Sequence, residues 1–130
     1  MTAARRHPHF DDQGTLDWYT TWADAAAAAK RENKLVFIDM GRELCSQCRT
    51  LVQSVVPHPQ VAPVLKERFV ALASDADETE SEVIALAENL DDAYMLPFVI
   101  FADPSGKFLG GTSGATNPLS FRRLLDSIGA

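Results

Sequence analysis

Three short apolar runs constrain this chain more than any other feature: "KLVFIDM" at 34–40, "FVALASD" at 69–75 and "PFVIFAD" at 97–103. Each is continuous rather than alternating and rich in branched or aromatic residues. Each therefore reads as a strand buried on both faces of a sheet. The segments between them are helical. "TWADAAAAAKREN" carries a capping pair in Thr21 and Asp24, an alanine run, and Lys30 and Arg31 in the last turn, which predicts a helix over 22–32. "SQCRTLVQSVV" gathers Leu51, Val52, Val55 and Val56 on one face and predicts a helix over 46–56, stopped by Pro57. One or two further helical turns follow, with Pro63 as a break. "ETESEVIALAENL" predicts an amphipathic helix over 78–90 with acidic residues in its first turn.

Strand–helix–strand units require parallel pairing through a crossover. The end of the chain behaves differently. "DPSG" at 103–106 has the composition of a type I turn, and "KFLGGTSG" returns as a strand, so the last two strands form a hairpin. Asn117 and Pro118 open a final helix whose apolar face is Leu119, Leu124, Leu125 and Ile128. The economical arrangement is an α/β fold: a mixed parallel and antiparallel sheet of four to five strands with helices on both faces. Residues 1–14 read as a loose tail, and 15–130 as one domain.

A formal net charge of -6 argues against nucleic acid or an anionic membrane as the main partner, since both call for a basic surface. No apolar run reaches the roughly 18 residues of a membrane span. The N-terminus has positive charge but no apolar stretch behind it, so it does not read as a signal peptide. A cytoplasmic location is expected if Met1 is the natural start, and a periplasmic or secreted one if a signal has been removed.

"GRELCSQCRT" holds both cysteines, Cys45 and Cys48, where a buried strand has ended and a helix begins. A sulfur there sits near unpaired N–H groups and the positive end of the helix dipole, which stabilises thiolate. Arg42 and Arg49 add positive charge, and Glu43 opposes them. Cys48, one turn further on, is expected to be more buried. The division of labour is then that Cys45 attacks a disulfide and Cys48 resolves the mixed species. The alternatives are two cysteines acting as small hydrophobes, or a soft-metal site for an ion such as Cu(I) or Zn. A zinc site would need further ligands in a known spacing. His7, His9 and His58 are the only histidines, and all three read as solvated surface residues.

From about Trp18 to Ile128 the chain resembles the thioredoxin family, on the strength of "FIDMGRELCSQC" and "MLPFVIFADPSG". With "AKRENKLVFIDM" it looks more closely like the bacterial thioredoxin-like subgroup related to anterior-gradient and endoplasmic-reticulum thioredoxin proteins. The resemblance implies a buried acid, Asp39, beneath the disulfide, exchanging a proton with Cys48 or serving structure alone. It implies a cis-proline, Pro97, beside the cysteines, where a substrate strand could add to the backbone. Leu44, Ser46, Gln47, Leu96 and Pro97 would then line the substrate site. The departures are Leu44 in place of the usual tryptophan, Ser46-Gln47 between the cysteines, Ala71 where a lysine usually neighbours the buried acid, and Gln53 in place of a helix-kinking proline.

The expected activity is thiol–disulfide oxidoreduction on protein or peptide disulfides, in the reductase or isomerase direction. The redox-active disulfide is its own redox group, so no cofactor is expected. The expected partners are the disulfide substrate and an upstream electron donor or acceptor, with the chain a monomer. The alternatives are a thioredoxin-like binding module with little turnover and a soft-metal handling protein. Trp18 and Trp22 read as packing residues, "DADETE" at 75–80 as a solvated loop, and "LGGTSG" at 109–114 as a bulge or close backbone approach near Pro97.

Overall fold

The computed structural model describes residues 5–91 and 93–128. The elements run β1 (Trp18–Tyr19), α1 (Trp22–Glu32), β2 (Leu35–Gly41), α2 (Ser46–Thr50), a π-helical turn (Leu51–Val55), α3 (Ala62–Arg68), β3 (Phe69–Asp75), α4 (Ser81–Ala87), β4 (Phe98–Ala102), β5 (Phe108–Ser113) and α5 (Pro118–Ser127). The five strands are ordered β1-β3-β2-β4-β5. β1 and β2 both run parallel to β3, while β2–β4 and β4–β5 are antiparallel. The mixed sheet is the one the three apolar runs predict, and β1 is the addition. Two residues are too short a stretch to announce a strand by pattern.

Side chains alternate across the sheet and divide the core in two. On one face Val36, Ile38, Leu72 and Ile100 meet Ala25, Ala28 and Ala29 of α1 and Val83 and Leu86 of α4. The alanines of α1 let the helix lie close on the strands. On the other face Phe37, Phe69 and Phe101 meet Leu51 and Val55 of the π turn, Leu65 of α3 and Phe121 and Leu125 of α5. The rings of Trp18, Phe37, Phe69, Phe101 and Phe121 form a connected aromatic group with centroids 5.2–6.2 Å apart.

The caps match the sequence. The Thr21 hydroxyl accepts the Asp24 N–H at 3.3 Å, and the Asn117 side chain accepts the Ser120 N–H at 2.9 Å. The turn at 103–106 is closed by the Gly106 N–H on Asp103 O at 3.0 Å, and Asp103 Oδ1 accepts from Ser105 and Lys107. In β5 a bulge skips Leu109, and a Cβ on Gly111 would lie 2.2 Å from Val99 O, so only glycine permits that approach.

Four local expectations are corrected. Pro63 opens α3 rather than breaking a helix, because a proline at the first turn loses no hydrogen bond. α4 begins at Ser81 and not at 78, because the Thr79 hydroxyl turns back onto Asp75 O and Ala76 O. Leu119 is exposed, and Phe121 takes the buried place on α5. The fourth is the loose tail. Residues 5–14 lie folded against the domain: Phe10 is buried, and the Asp12 carboxylate accepts the N–H groups of Gly14, Thr15 and Leu16 and the indole N–H of Trp18. Asp12 thereby ties this segment to β1. Met1 to Ala4 lie outside the described residues. No helix among the described residues is long and apolar enough to cross a membrane.

Candidate active site

β2 ends at Gly41, and four residues later the chain turns into α2. Cys45 is the N-cap of that helix, with extended φ and ψ, and its sulfur accepts the Cys48 N–H at 3.2 Å. The two cysteines are joined in a disulfide with Cα atoms 5.2 Å apart. Their environments differ as the sequence predicts. Cys45 is part-exposed, while Cys48 is 1% exposed and packs with Phe10 and Val52. A helix entered through a cysteine N-cap therefore offers one sulfur outward and holds its mate inside. In the reduced state the Cys48 N–H would remain to stabilise a thiolate on Cys45.

Asp39 lies on β2 and is 2% exposed. A buried carboxylate needs hydrogen-bond partners. Its neighbours across the sheet are Ala73 and Val99, which offer none from their side chains. The partner comes from the N-terminal segment: His7 Nε2 lies 2.8 Å from Asp39 Oδ2. His7 is itself buried, with its ring edge-on to Trp18 at 4.6 Å and stacked on Phe10 at 5.7 Å. The polar start of the chain predicts His7 in solvent, and the structure buries it. A buried acid with small neighbours on the adjacent strand is the reason. Asp39 Oδ1 is buried with no hydrogen-bond partner among the described residues.

Gly41 separates that oxygen from the inner sulfur. A Cβ there would lie 2.9 Å from Cys48 Sγ and 3.6 Å from Asp39 Oδ1. Asp39 Oδ1 and the Cys48 sulfur thus both border the space that a side chain at position 41 would fill. His7, Phe10 and Gly41 are the site residues that sequence reasoning missed. The signal was a histidine and aromatic group, "HPHF", in an otherwise polar start.

Of the expected substrate-side residues, Leu44 is 92% exposed and Ser46 is exposed. Gln47 is part-buried and its Oε1 has no partner among the described residues. Leu96 packs against the Cys45, Cys48 and Phe10 cluster, which brings the 96–97 loop to the disulfide. The Leu96–Pro97 bond is cis, Pro97 is buried, and its carbonyl accepts the Gly114 N–H at 3.0 Å. The glycine-rich segment thus meets Pro97 as expected. The two residues before Leu96 are large and exposed: Tyr94 is 85% and Met95 57% exposed. Arg42 is engaged elsewhere, paired with Asp77 at 2.8 Å. Arg49 lies over the Phe10 ring at 5.9 Å. No group of three or more potential metal-binding side chains comes together among the described residues. His58 is remote from these groups in the sequence and accepts the Gln60 N–H on Nδ1.

A family model described as thioredoxin-like matches residues 17–104. The chain is similar to a thioredoxin from Thermus thermophilus, with TM-score 0.69 and 23% identity over 86% of this chain and 85% of that one. It is similar to a disulphide isomerase from Xylella fastidiosa, with TM-score 0.65 and 19% identity over 80% and 85%. At such identities these likenesses establish the fold. Rat spermatogenesis-associated protein 20 is 26% identical over 101 residues, 75% of this chain. The match spans 13% of that curated protein's length.

Proposed function

The chain belongs to the thioredoxin-like family, and we propose that within it this domain is a thiol–disulfide oxidoreductase acting on protein or peptide disulfides. One observation carries the reading: the Cys45–Cys48 pair closes a disulfide at the start of α2, with the first sulfur accessible and the second enclosed. The likeness to the disulphide isomerase from Xylella fastidiosa is compatible with it.

In the reducing direction, the Cys45 thiolate attacks a substrate disulfide. The substrate S–S bond breaks, a Cys45–substrate disulfide forms, and one substrate thiolate leaves and takes a proton. Cys48 then loses its proton and attacks Cys45 Sγ. The Cys45–Cys48 bond forms, the second substrate thiolate leaves, and two electrons have passed to the substrate. An external dithiol must return them. In this reading Asp39 exchanges the Cys48 proton through Oδ1, and what supports it is that Oδ1 is buried without a partner among the described residues and borders the same space beside Gly41 as the Cys48 sulfur. Leu44 directly precedes Cys45, and Tyr94 and Met95 directly precede Leu96; all three are exposed, which favours an unfolded or extended apolar substrate segment over a polar small molecule. The backbone at Leu96 and Pro97, with Ser46 and Gln47 opposite, is where such a segment would lie.

Insulin reduction with dithiothreitol as donor tests the reading. The wild type should accelerate precipitation of the insulin B chain, Cys45→Ser should abolish the effect, and Cys48→Ser should accumulate a protein–substrate disulfide visible by mass. A folded wild type no faster than dithiothreitol alone defeats the proposal. The exposed apolar rim would then favour a peptide-binding module, detected as binding of reduced, carboxymethylated insulin chains without turnover.

A further inference from the structure

His7 holds the buried acid in a way that says where a proton on that acid must sit. The His7 ring nitrogen Nδ1 faces two backbone N–H groups, those of His9 at 3.1 Å and Phe10 at 3.3 Å. Both are donors and can be nothing else. A hydrogen on Nδ1 would point at two others, so Nδ1 presents its lone pair. The ring hydrogen is then on Nε2, and Nε2 donates to Asp39 Oδ2 at 2.8 Å. Oδ2 is committed as an acceptor. Protonating Oδ2 would make it a hydroxyl oxygen, a much weaker acceptor for the Nε2–H, so the proton of Asp39 favours Oδ1, the oxygen that shares the space beside Gly41 with Cys48.

We infer that His7 is a positioning residue for disulfide exchange: it biases the proton of Asp39 toward the oxygen that borders the same space as the resolving cysteine. This rests on the oxidoreductase reading above. Without His7 both oxygens would be open to the proton. With it, the Cys48 thiol passes its proton to Oδ1, directly or through one water. The thiolate so formed attacks Cys45 Sγ and expels the substrate thiolate. In the opposite direction Oδ1 returns the proton as the Cys45–Cys48 bond breaks and Cys48 leaves.

The surroundings leave this role to His7. β3 and β4 present Ala73 and Val99 beside Asp39, and Ala71 lies two pairs further along opposite Phe37. From α2 the enclosed titratable group is Cys48 itself. Asp12, the other buried acid of the N-terminal segment, is occupied by the Trp18 indole N–H and backbone N–H groups. The resemblance implies a lysine on the sheet as the neighbour of the buried acid; here the neighbour is a side chain 32 residues before Asp39.

Two measurements on the full chain test the inference. Long-range ¹H–¹⁵N correlation of the labelled wild type, oxidised and reduced, should show the His7 ring with hydrogen on Nε2 and a bare Nδ1. Hydrogen on Nδ1, or a mixture of the two tautomers, overturns the inference whatever the enzyme does. Stopped-flow kinetics of resolution of a Cys45–substrate disulfide should show His7→Leu slowed about tenfold, part of the roughly 100- to 10,000-fold a positioned proton carrier contributes. Its pH profile should shift from that of the wild type. His7→Gln, whose amide N–H can still reach Oδ2, should recover to within about threefold of wild type. A His7→Leu variant that matches the wild type in rate and pH profile overturns the inference, as does a His7→Gln variant no better than His7→Leu. If the wild type shows no turnover at all, the oxidoreductase reading falls, and the ring tautomer alone decides where the proton is held.

Discussion

Replacing Gly41 with alanine should raise the reduction potential of the Cys45–Cys48 pair. Gly41 ends β2 with an ordinary negative-φ backbone, so alanine brings no conformational strain of its own. The added methyl would lie 2.9 Å from Cys48 Sγ and 3.3 Å from Cys48 Cβ, closer than carbon and sulfur tolerate. In the dithiol, the Cys48 side chain can rotate away. In the disulfide, its sulfur is tied to Cys45 and cannot. The overpacking, typically about 1–3 kcal/mol, therefore falls mainly on the oxidised form. For a two-electron couple about 1.4 kcal/mol corresponds to 30 mV, which gives a rise of about 20–60 mV. The potential is read by equilibrating wild type and Gly41→Ala in graded glutathione buffers, quenching with acid, alkylating, and weighing the products. Urea unfolding of both redox forms closes the cycle, and the oxidised form should lose more stability than the reduced. A folded variant whose potential is unchanged or more negative would refute the reasoning, because β2 would then have shifted to admit the methyl equally in both states.

Two further outcomes follow from the same contacts. Asp12→Ala should leave the buried Trp18 indole N–H and the Leu16 N–H unpaired and cost about 2–4 kcal/mol in urea unfolding; a loss under about 1 kcal/mol would mean the segment before β1 is not anchored as described. Asp103 is held below its ordinary value of 3.8, first by the Ser105 hydroxyl and then by the Lys107 N–H. Its contribution to stability is present above 3.8 and is lost as the pH falls through its lower folded value, so Asp103→Asn should flatten the acid limb of the melting curve between about pH 5 and pH 2. An unaltered acid limb would contradict the turn geometry.

The parts of the molecule that were legible in the sequence are those governed by neighbours along the chain. The runs 34–40, 69–75 and 97–103 are strands because continuous branched apolar residues suit a sheet covered on both sides, and all three occur within a residue or so of their expected bounds. Cys45 as the exposed member and Cys48 as the enclosed one follow from a helix starting between strand and apolar face. What was not legible depends on chain segments that meet only in space. His7 looks like any polar residue of a terminus until Asp39 is placed opposite it, and nothing local to either announces the pairing. Gly41 likewise reads as a turn residue, and its importance lies in what a side chain would strike. The apolar face of 46–56 predicts one continuous helix, and Leu51, Val52, Val55 and Val56 are indeed all buried, but Leu51–Val55 winds as a π turn, which the apolar pattern does not distinguish from α-helix.

Residues 5–12, which lie outside the five-stranded scaffold, bring His7 to Asp39 and Phe10 to Cys48. Gln13 and Gly14, both in the left-handed region and exposed, form the hinge point between the His7–Phe10 stretch and β1. A protease that nicked the backbone there would leave every strand pairing intact. The His7–Phe10 stretch would then be held by the Asp12, Arg5 and His7 contacts, with no covalent tie to the strand that carries Asp39.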